Sequence, residues 1–195
     1  MANARAPVAL LLLGALLAPG CGNERRERVS LEANPSPKLV ERQFPRVGLR
    51  LELPENFNVN VTETAPPGVF YGSFGEAVIS TFAYRRREKL PRTDAQLREA
   101  LDRLKGATRR RDSSYELSES TTTEVNGSRA AELVGDQTID NKDLRTRSVH
   151  VYEGSAEYVF ELLAPQGEFA RLDRDLFEPV LDSVRLTGAV RRAKG

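Results

Sequence analysis

Cysteine and histidine each occur once in this 195-residue chain, as Cys21 and His150. A single thiol cannot close an internal disulfide, and a single imidazole puts the usual zinc ligand sets out of reach. An excess of one charge is also lacking: 29 Lys and Arg stand against 28 Asp and Glu. No overall field therefore draws the chain to nucleic acid. There is no Gly-x-Gly-x-x-Gly or phosphate-cradling loop, and no Gly-x-Ser-x-Gly elbow, since Gly72-Ser73-Phe74-Gly75 lacks that spacing. Beyond the N-terminus no apolar run is long enough for a membrane helix. These absences remove the residue sets on which zinc, nucleotide and serine-hydrolase chemistry commonly rest.

The N-terminus is the most informative segment. Arg5 provides a positive start, Val8 to Ala18 is an unbroken run of Val, Ala, Leu and Gly, and Ala18-Pro19-Gly20 leads into Cys21. A charged start, a short apolar run and a small-residue cleavage site make an export signal, and the run is too short to span a bilayer. A cysteine directly after such a site resembles a bacterial lipobox, in which the thiol is lipidated and becomes the first mature residue. Leu17 and Pro19 depart from the usual lipobox pattern. The alternative is an ordinary secretory signal cut near Ala18, which would leave an unpaired thiol in an oxidising compartment. The expectation is a signal peptide over 1–20 and a lipid on Cys21, anchoring the protein to the exported side of a cell membrane.

Residues 21–43 read as a tether, charged at Glu24 to Arg28, broken by Pro35 and Pro37, and without apolar period. As a flexible coil it would reach on the order of 25 Å. A single domain is expected over 44–187, about 145 residues and ample for one core. Residues 188–195 form a basic, apolar-poor tail, expected to be disordered.

Within the domain, Leu49, Leu51 and Leu53 alternate with Arg50 and Glu52 as a half-buried strand. Further strands are expected at Val69 to Tyr71, with a turn at Gly72 to Gly75, and at Ala77 to Tyr84. Thr93 and Gln96 form a capping box before the helical stripe Leu97, Ala100, Leu101 and Leu104, with Gly106 as its stop. Asn126-Gly127 is a two-residue hairpin signal between Tyr115 to Val125 and Arg129 to Val134. Asp136 to Asp143 reads as a polar loop, and Glu153-Gly154-Ser155 as the turn between strands Leu144 to Tyr152 and Glu157 to Ala164. Phe169, Leu172, Leu176, Val180 and Val184 give a closing helical stripe that Pro179 should kink or split, and Ser183 to Thr187 a last edge strand.

Three segments carry a family resemblance: Gly48 to Phe57, Val125 to Glu132, and Ala156 to Leu162 with Phe177 to Arg185. In that order they resemble the PsbP/Mog superfamily, including bacterial lipoproteins of the LpqN type. The resemblance implies an α+β fold, a curved antiparallel sheet with flanking helices. It also implies protein binding rather than catalysis, since the superfamily contains photosystem II extrinsic subunits and a Ran-binding protein. It carries over no functional residue.

Candidate chemistry is sparse. A Ser-His-Asp triad would have to use His150, which alternation places beside Leu144, Thr146, Ser148 and Tyr152. Oxygen ligands for calcium could come from Asp136, Asp140 and Asp143, or from Asp173 and Asp175, but neither run has calcium-loop spacing, and they read as loop and helix surface. Arg85-Arg86-Arg87 with Lys89, and Arg109-Arg110-Arg111, read as two separate solvated clusters. The expectation is therefore no enzyme, no cofactor and no metal, in a membrane-anchored module that binds an envelope protein partner. The alternatives are a carrier of a small apolar ligand or lipid and, behind it, an unrecognised hydrolase.

Overall fold

The computed structural model describes residues 34–62, 68–188 and 190. The expected signal, Cys21, the first part of the tether, and 189 and 191–195 of the tail lie outside the described residues. The described strands are β1 Leu39–Phe44, β2 Leu49–Pro54, β3 Asn60–Val61, β4 Gly68–Phe74, β5 Ala77–Arg85, β6 Glu116–Val125, β7 Ser128–Ile139, β8 Lys142–Glu153, β9 Ala156–Pro165 and β10 Arg185–Leu186. Helix α1 spans Asp94–Arg111; α2 Gln166–Leu172 and α3 Glu178–Ser183 flank a π-helical turn, Asp173–Phe177. All pairings are antiparallel, so the chain is α+β, as expected. One sheet has the order β3-β4-β5-β9-β8-β7-β6, and a smaller one β1-β2-β10.

The large sheet separates two cores. On one face Ile79, Val149, Val151, Tyr158, Phe160 and Leu162 pack with Leu51 and Leu53 of the small sheet and with Leu172, Phe177 and Val180 of the closing helices. On the other face α1 lays Leu97, Ala100 and Leu101 over Ala131, Leu133 and Tyr152. Strand β9 shows the division most clearly. Tyr158, Phe160, Leu162 and Ala164 are fully buried on the first face, while Glu157, Val159, Glu161 and Leu163 belong to the second.

Local signals hold at several places. Asn126 and Gly127 both have positive φ (50° and 83°), the backbone of a type I′ turn. The Asn126 amide also donates to the carbonyls of Leu181, Asp182 and Val184, tying the turn to the end of α3. Thr93 Oγ1 accepts from the Gln96 amide at 3.3 Å, but Gln96 Oε1 returns to the amide of Arg92 rather than to that of the cap residue.

Elsewhere the structure corrects the sequence reading. The tether ends before Leu39, because β1 pairs with β2 along its whole length. Only Phe44 of β1 is buried, so the strand is held by its backbone ladder and carries no apolar alternation. At the other boundary Gly188, placed in the tail, is buried against Gly154, with both φ values positive and no room for a Cβ on either. Gly72 lies within β4 rather than in a turn, its missing side chain replaced by the ring of Phe57. The expected loop at Asp136 to Asp143 is a tight hairpin. Asp140 and Asn141 turn it with φ of 50° and 60°, a conformation short polar side chains tolerate. Helix α1 does not stop at Gly106 but runs to Arg111, whose basic last turn suits the negative end of the helix dipole. The closing helix is split, as expected, the break lying just upstream of Pro179. Proline has no amide to give to the carbonyl four residues back, and the chain widens into a π turn in which the Glu178 amide donates to Asp173.

Leu101→Ala should lower stability by about 2–5 kcal/mol, since it removes a side chain 7 % exposed from the seam between α1 and the sheet. Urea denaturation checks this, and an unchanged midpoint would contradict the packing of α1.

Candidate functional site: a groove beside helix α1

Helix α1 covers only the β7 side of its sheet face. The remainder is a half-open groove of about 440 Å³ over β5, β9 and β8, bordered by the C-terminal half of α1. Its floor is a grid fixed by strand register. Ser80, Glu161 and Ser148 stand in one row, Phe82, Val159 and His150 in the next, and Tyr84 and Glu157 in a third, which continues to Tyr152 beneath α1. Tyr115 closes one end by lying across Gly135, where any side chain would strike its ring.

A chain of polar contacts crosses the floor. Ser80 Oγ donates to Glu161 Oε2 at 3.4 Å, and Ser148 Oγ lies 3.3 Å from Glu161 Oε1 and 3.2 Å from His150 Nε2. His150 Nδ1 meets Glu157 Oε1 at 2.7 Å, and Arg86 Nε donates to Glu157 Oε2 at 2.5 Å. The Arg86 guanidinium also lies 4.7 Å over the ring of Tyr84. Burial pushes the Glu157 carboxyl upward, but the bonds and charges of His150 and Arg86 outweigh it and hold it below its ordinary value of 4.5. Burial raises the phenols of Tyr84 and Tyr152 and lifts that of Tyr115 to about 12.

Ser148, His150 and Glu157 thus have the connectivity of a catalytic triad. The alternation of β8 places serine and histidine together, and the return strand β9 brings the glutamate. Sequence reasoning placed Ser148 among the neighbours of His150 without reading a site there, and it missed Glu157 and Glu161, whose signal was their position opposite the buried Tyr158–Phe160–Leu162 face. The surroundings differ from those of a hydrolase. Glu161 sits beside the would-be nucleophile, where a tetrahedral intermediate would gather negative charge and would need donors.

The two basic clusters are not fully separate. Arg86 and Arg111 both border this groove, because α1 folds back along the face that β5 ends on. The aspartates considered for calcium are otherwise engaged. Asp136 takes two bonds from Arg145, Asp143 accepts from Thr138, and Asp175 pairs with Arg174. Asp140 turns the β7–β8 hairpin. Asp173 is not plain helix surface, since it binds Arg147, which reaches across from the sheet and also holds Glu132. Among the described residues no three His, Cys, Asp or Glu side chains gather as a cation site would require.

No protein-family pattern and no curated protein matches the sequence. Solved structures do. The CyanoP protein of Synechocystis sp. PCC 6803 aligns with a TM-score of 0.60 at 12 % identity, over 76 % of this chain and 92 % of its own. LpqN of Mycobacterium tuberculosis aligns with a TM-score of 0.52 at 13 % identity, over 77 % of this chain and 91 % of its own. The chain has the PsbP/Mog-like fold. At such identities the likeness concerns the fold alone, and the groove residues of this PsbP/Mog-like chain stand on their own geometry.

The depressed Glu157 carboxyl gives a pH dependence of definite sign. Its folded pKa lies below 4.5, so its stabilising contribution is fully present above that value and is lost as pH falls through the folded pKa. Glu157→Gln should therefore be less stable than wild type at neutral pH, and the gap should narrow below 4.5. Urea titrations across that range check it, and a gap that widens on acidification would contradict the assignment.

Proposed function

We propose that the chain is an exported lipoprotein, anchored by a lipid on Cys21, whose domain is a non-catalytic binding or assembly module at the cell envelope. The observation that carries this reading is the groove: an open, ordered, mixed polar and apolar surface whose histidine-paired serine, Ser148, faces a carboxylate. The fold agrees with it, since LpqN, which shares that fold, is described as involved in cell envelope biogenesis. No helix among the described residues is long and apolar enough to cross a membrane.

A carrier of a wholly apolar ligand would favour an enclosed cavity lined by Phe and Leu. Here the space between the closing helices and the sheet is filled by side chains such as Leu172, Phe177 and Val180, all fully buried. The groove is open, and its centre is polar. The Ser148–His150–Glu157 array supports a second reading, a hydrolase, against which Glu161 stands.

Two measurements separate these readings. Incubation with generic ester, phosphate and peptide substrates should give no turnover that His150→Ala abolishes; turnover lost in that variant would establish the hydrolase. For the anchor, wild type should partition into detergent and Cys21→Ala into the aqueous phase, because lipid chains supply the membrane affinity. Equal aqueous recovery of both forms would refute lipidation at Cys21.

A further inference from the structure

Glu161 holds a distinctive position on the groove floor. Its register neighbours are Ser80 on β5 and Ser148 on β8, with Val159 and Leu163 before and after it on its own face of β9. The diagonal positions are Val78, Phe82, Thr146 and His150. Every one of these eight residues lines the groove, and none of them is Lys or Arg. Among the described residues Glu161 has no ion-pair partner, and its only side-chain hydrogen bonds are the two long ones from serine hydroxyls. The nearby charges are already committed, since Arg86 binds Glu157 and His150 Nδ1 meets the same carboxylate. Arg111, on the last turn of α1, lines the same groove close enough to Tyr84 and Tyr115 to act on both phenols, but among the described residues it makes no ion pair with Glu161.

A half-buried carboxylate ringed by hydroxyls and hydrocarbon is costly unless a countercharge reaches it. Here the open side of the groove leaves that place to a ligand. The flanking surfaces define the rest of such a ligand. Val78, Phe82, Val159 and Leu163 offer apolar contact for an aliphatic stem, and the ring of Phe82 adds a favourable face for a cation. Resting on the reading of this groove as a binding site, we propose that it receives an alkylammonium group, with the ammonium on Glu161 and the stem running from it over Leu163 and its register partner Val78. The two serine hydroxyls can turn their lone pairs toward the remaining ammonium protons. An anionic head in the same place would meet the Glu161 carboxylate.

The test is calorimetric titration of the purified full chain with hexylammonium, 1-hexanol and hexanoate, probes of equal reach that differ in charge. Nα-acetyl-lysine methylamide serves as a fourth. Hexylammonium should bind about tenfold or more tightly than the alcohol, and hexanoate more weakly than either. Glu161→Gln should reduce the amine to the level of the alcohol. Val78→Lys leaves the carboxylate in place and sets an internal ammonium diagonal to it, so it should block the site equally well. Near-UV circular dichroism checks that each variant is folded, and should Glu161→Gln fail to fold, Val78→Lys decides. If the lysine derivative binds as well as hexylammonium, the source is a lysine of a protein partner; if hexylammonium alone binds, it is a free amine. Both results uphold the proposal. Equal binding of amine and alcohol, a preference for hexanoate, or undiminished amine binding in the folded variants overturns it. Capture of an envelope protein by the chain despite that outcome would leave the binding-module reading standing, which keeps the two failures apart.

Discussion

The register between β8 and β9 is the constraint on which the rest of the molecule depends. The pairing runs from Glu153↔Ala156 to Leu144↔Pro165, closed by a turn in which Gly154 takes a φ of 60°. Because side chains alternate, a slip of one residue would send Tyr158, Phe160 and Leu162 into the groove and Glu157 and Glu161 into the main core. The cost on both faces is prohibitive: lost burial of three large side chains on one, two carboxylates without partners on the other. The Tyr158 hydroxyl reinforces the choice by donating to the Val47 carbonyl at 2.6 Å, which links the hairpin to the small sheet. Core and groove are thus the two sides of one alternation, and the site is as well specified as the core beneath it.

The two faces are stabilised differently. The covered face holds the small sheet and closing helices by apolar packing, with polar clasps at Asn126, Tyr158 and Arg147. Arg147 is 15 % exposed and bonds Glu132 on the sheet and Asp173 on the π turn, 5.8 Å over the ring of Phe177. Burial alone would make that guanidinium easier to deprotonate, but its bonds to Asp173 and Glu132 outweigh this and keep it charged. The groove face has only α1, docked on Ala131, Leu133 and Tyr152, so β5, β9 and β8 carry polar side chains there, Ser80, His150 and Glu161 half-buried and Ser148 and Glu157 buried. That partial cover is what makes a site possible. A helix lying across the middle of the sheet would have needed apolar residues where Ser80, Glu161 and Ser148 stand.

Legibility in the sequence followed how local the cause was. The Asn126-Gly127 turn, the Thr93 cap and the Tyr158–Phe160–Leu162 face each rest on residues within a few positions of one another, and each was readable. Strand β1 was not, because its support is a ladder to β2 rather than any pattern of its own. The β7–β8 hairpin hid behind exposed polar residues at its tip, where Thr138, Ile139 and Asp143 carry no alternation. Gly106 was misread because a glycine within a helix costs only roughly 1 kcal/mol, and α1 runs past it to a basic last turn that suits the negative end of the helix dipole. The groove was half legible: alternation on β8 put Ser148 beside His150, but joining them to Glu157, Glu161, Arg86 and Arg111 required the strand order and the path of α1.

The proton count on Ser148 bears on how the groove works. The hydroxyl has one proton and two acceptors within reach, His150 Nε2 and Glu161 Oε1. When His150 is neutral with its proton on Nδ1 toward Glu157, Ser148 can donate to Nε2, and Glu161 then keeps only the bond from Ser80. When the imidazole carries both protons, Nε2 becomes a donor and the serine proton turns to Glu161. In the first arrangement serine and histidine are paired as in a hydrolase, but Glu161 is then least satisfied and its charge bears most strongly on the nucleophile. In the second the nucleophile has no base. The first leaves Glu161 with the weakest hydrogen bonding and the strongest demand for a cation, which is the state in which an ammonium would gain most.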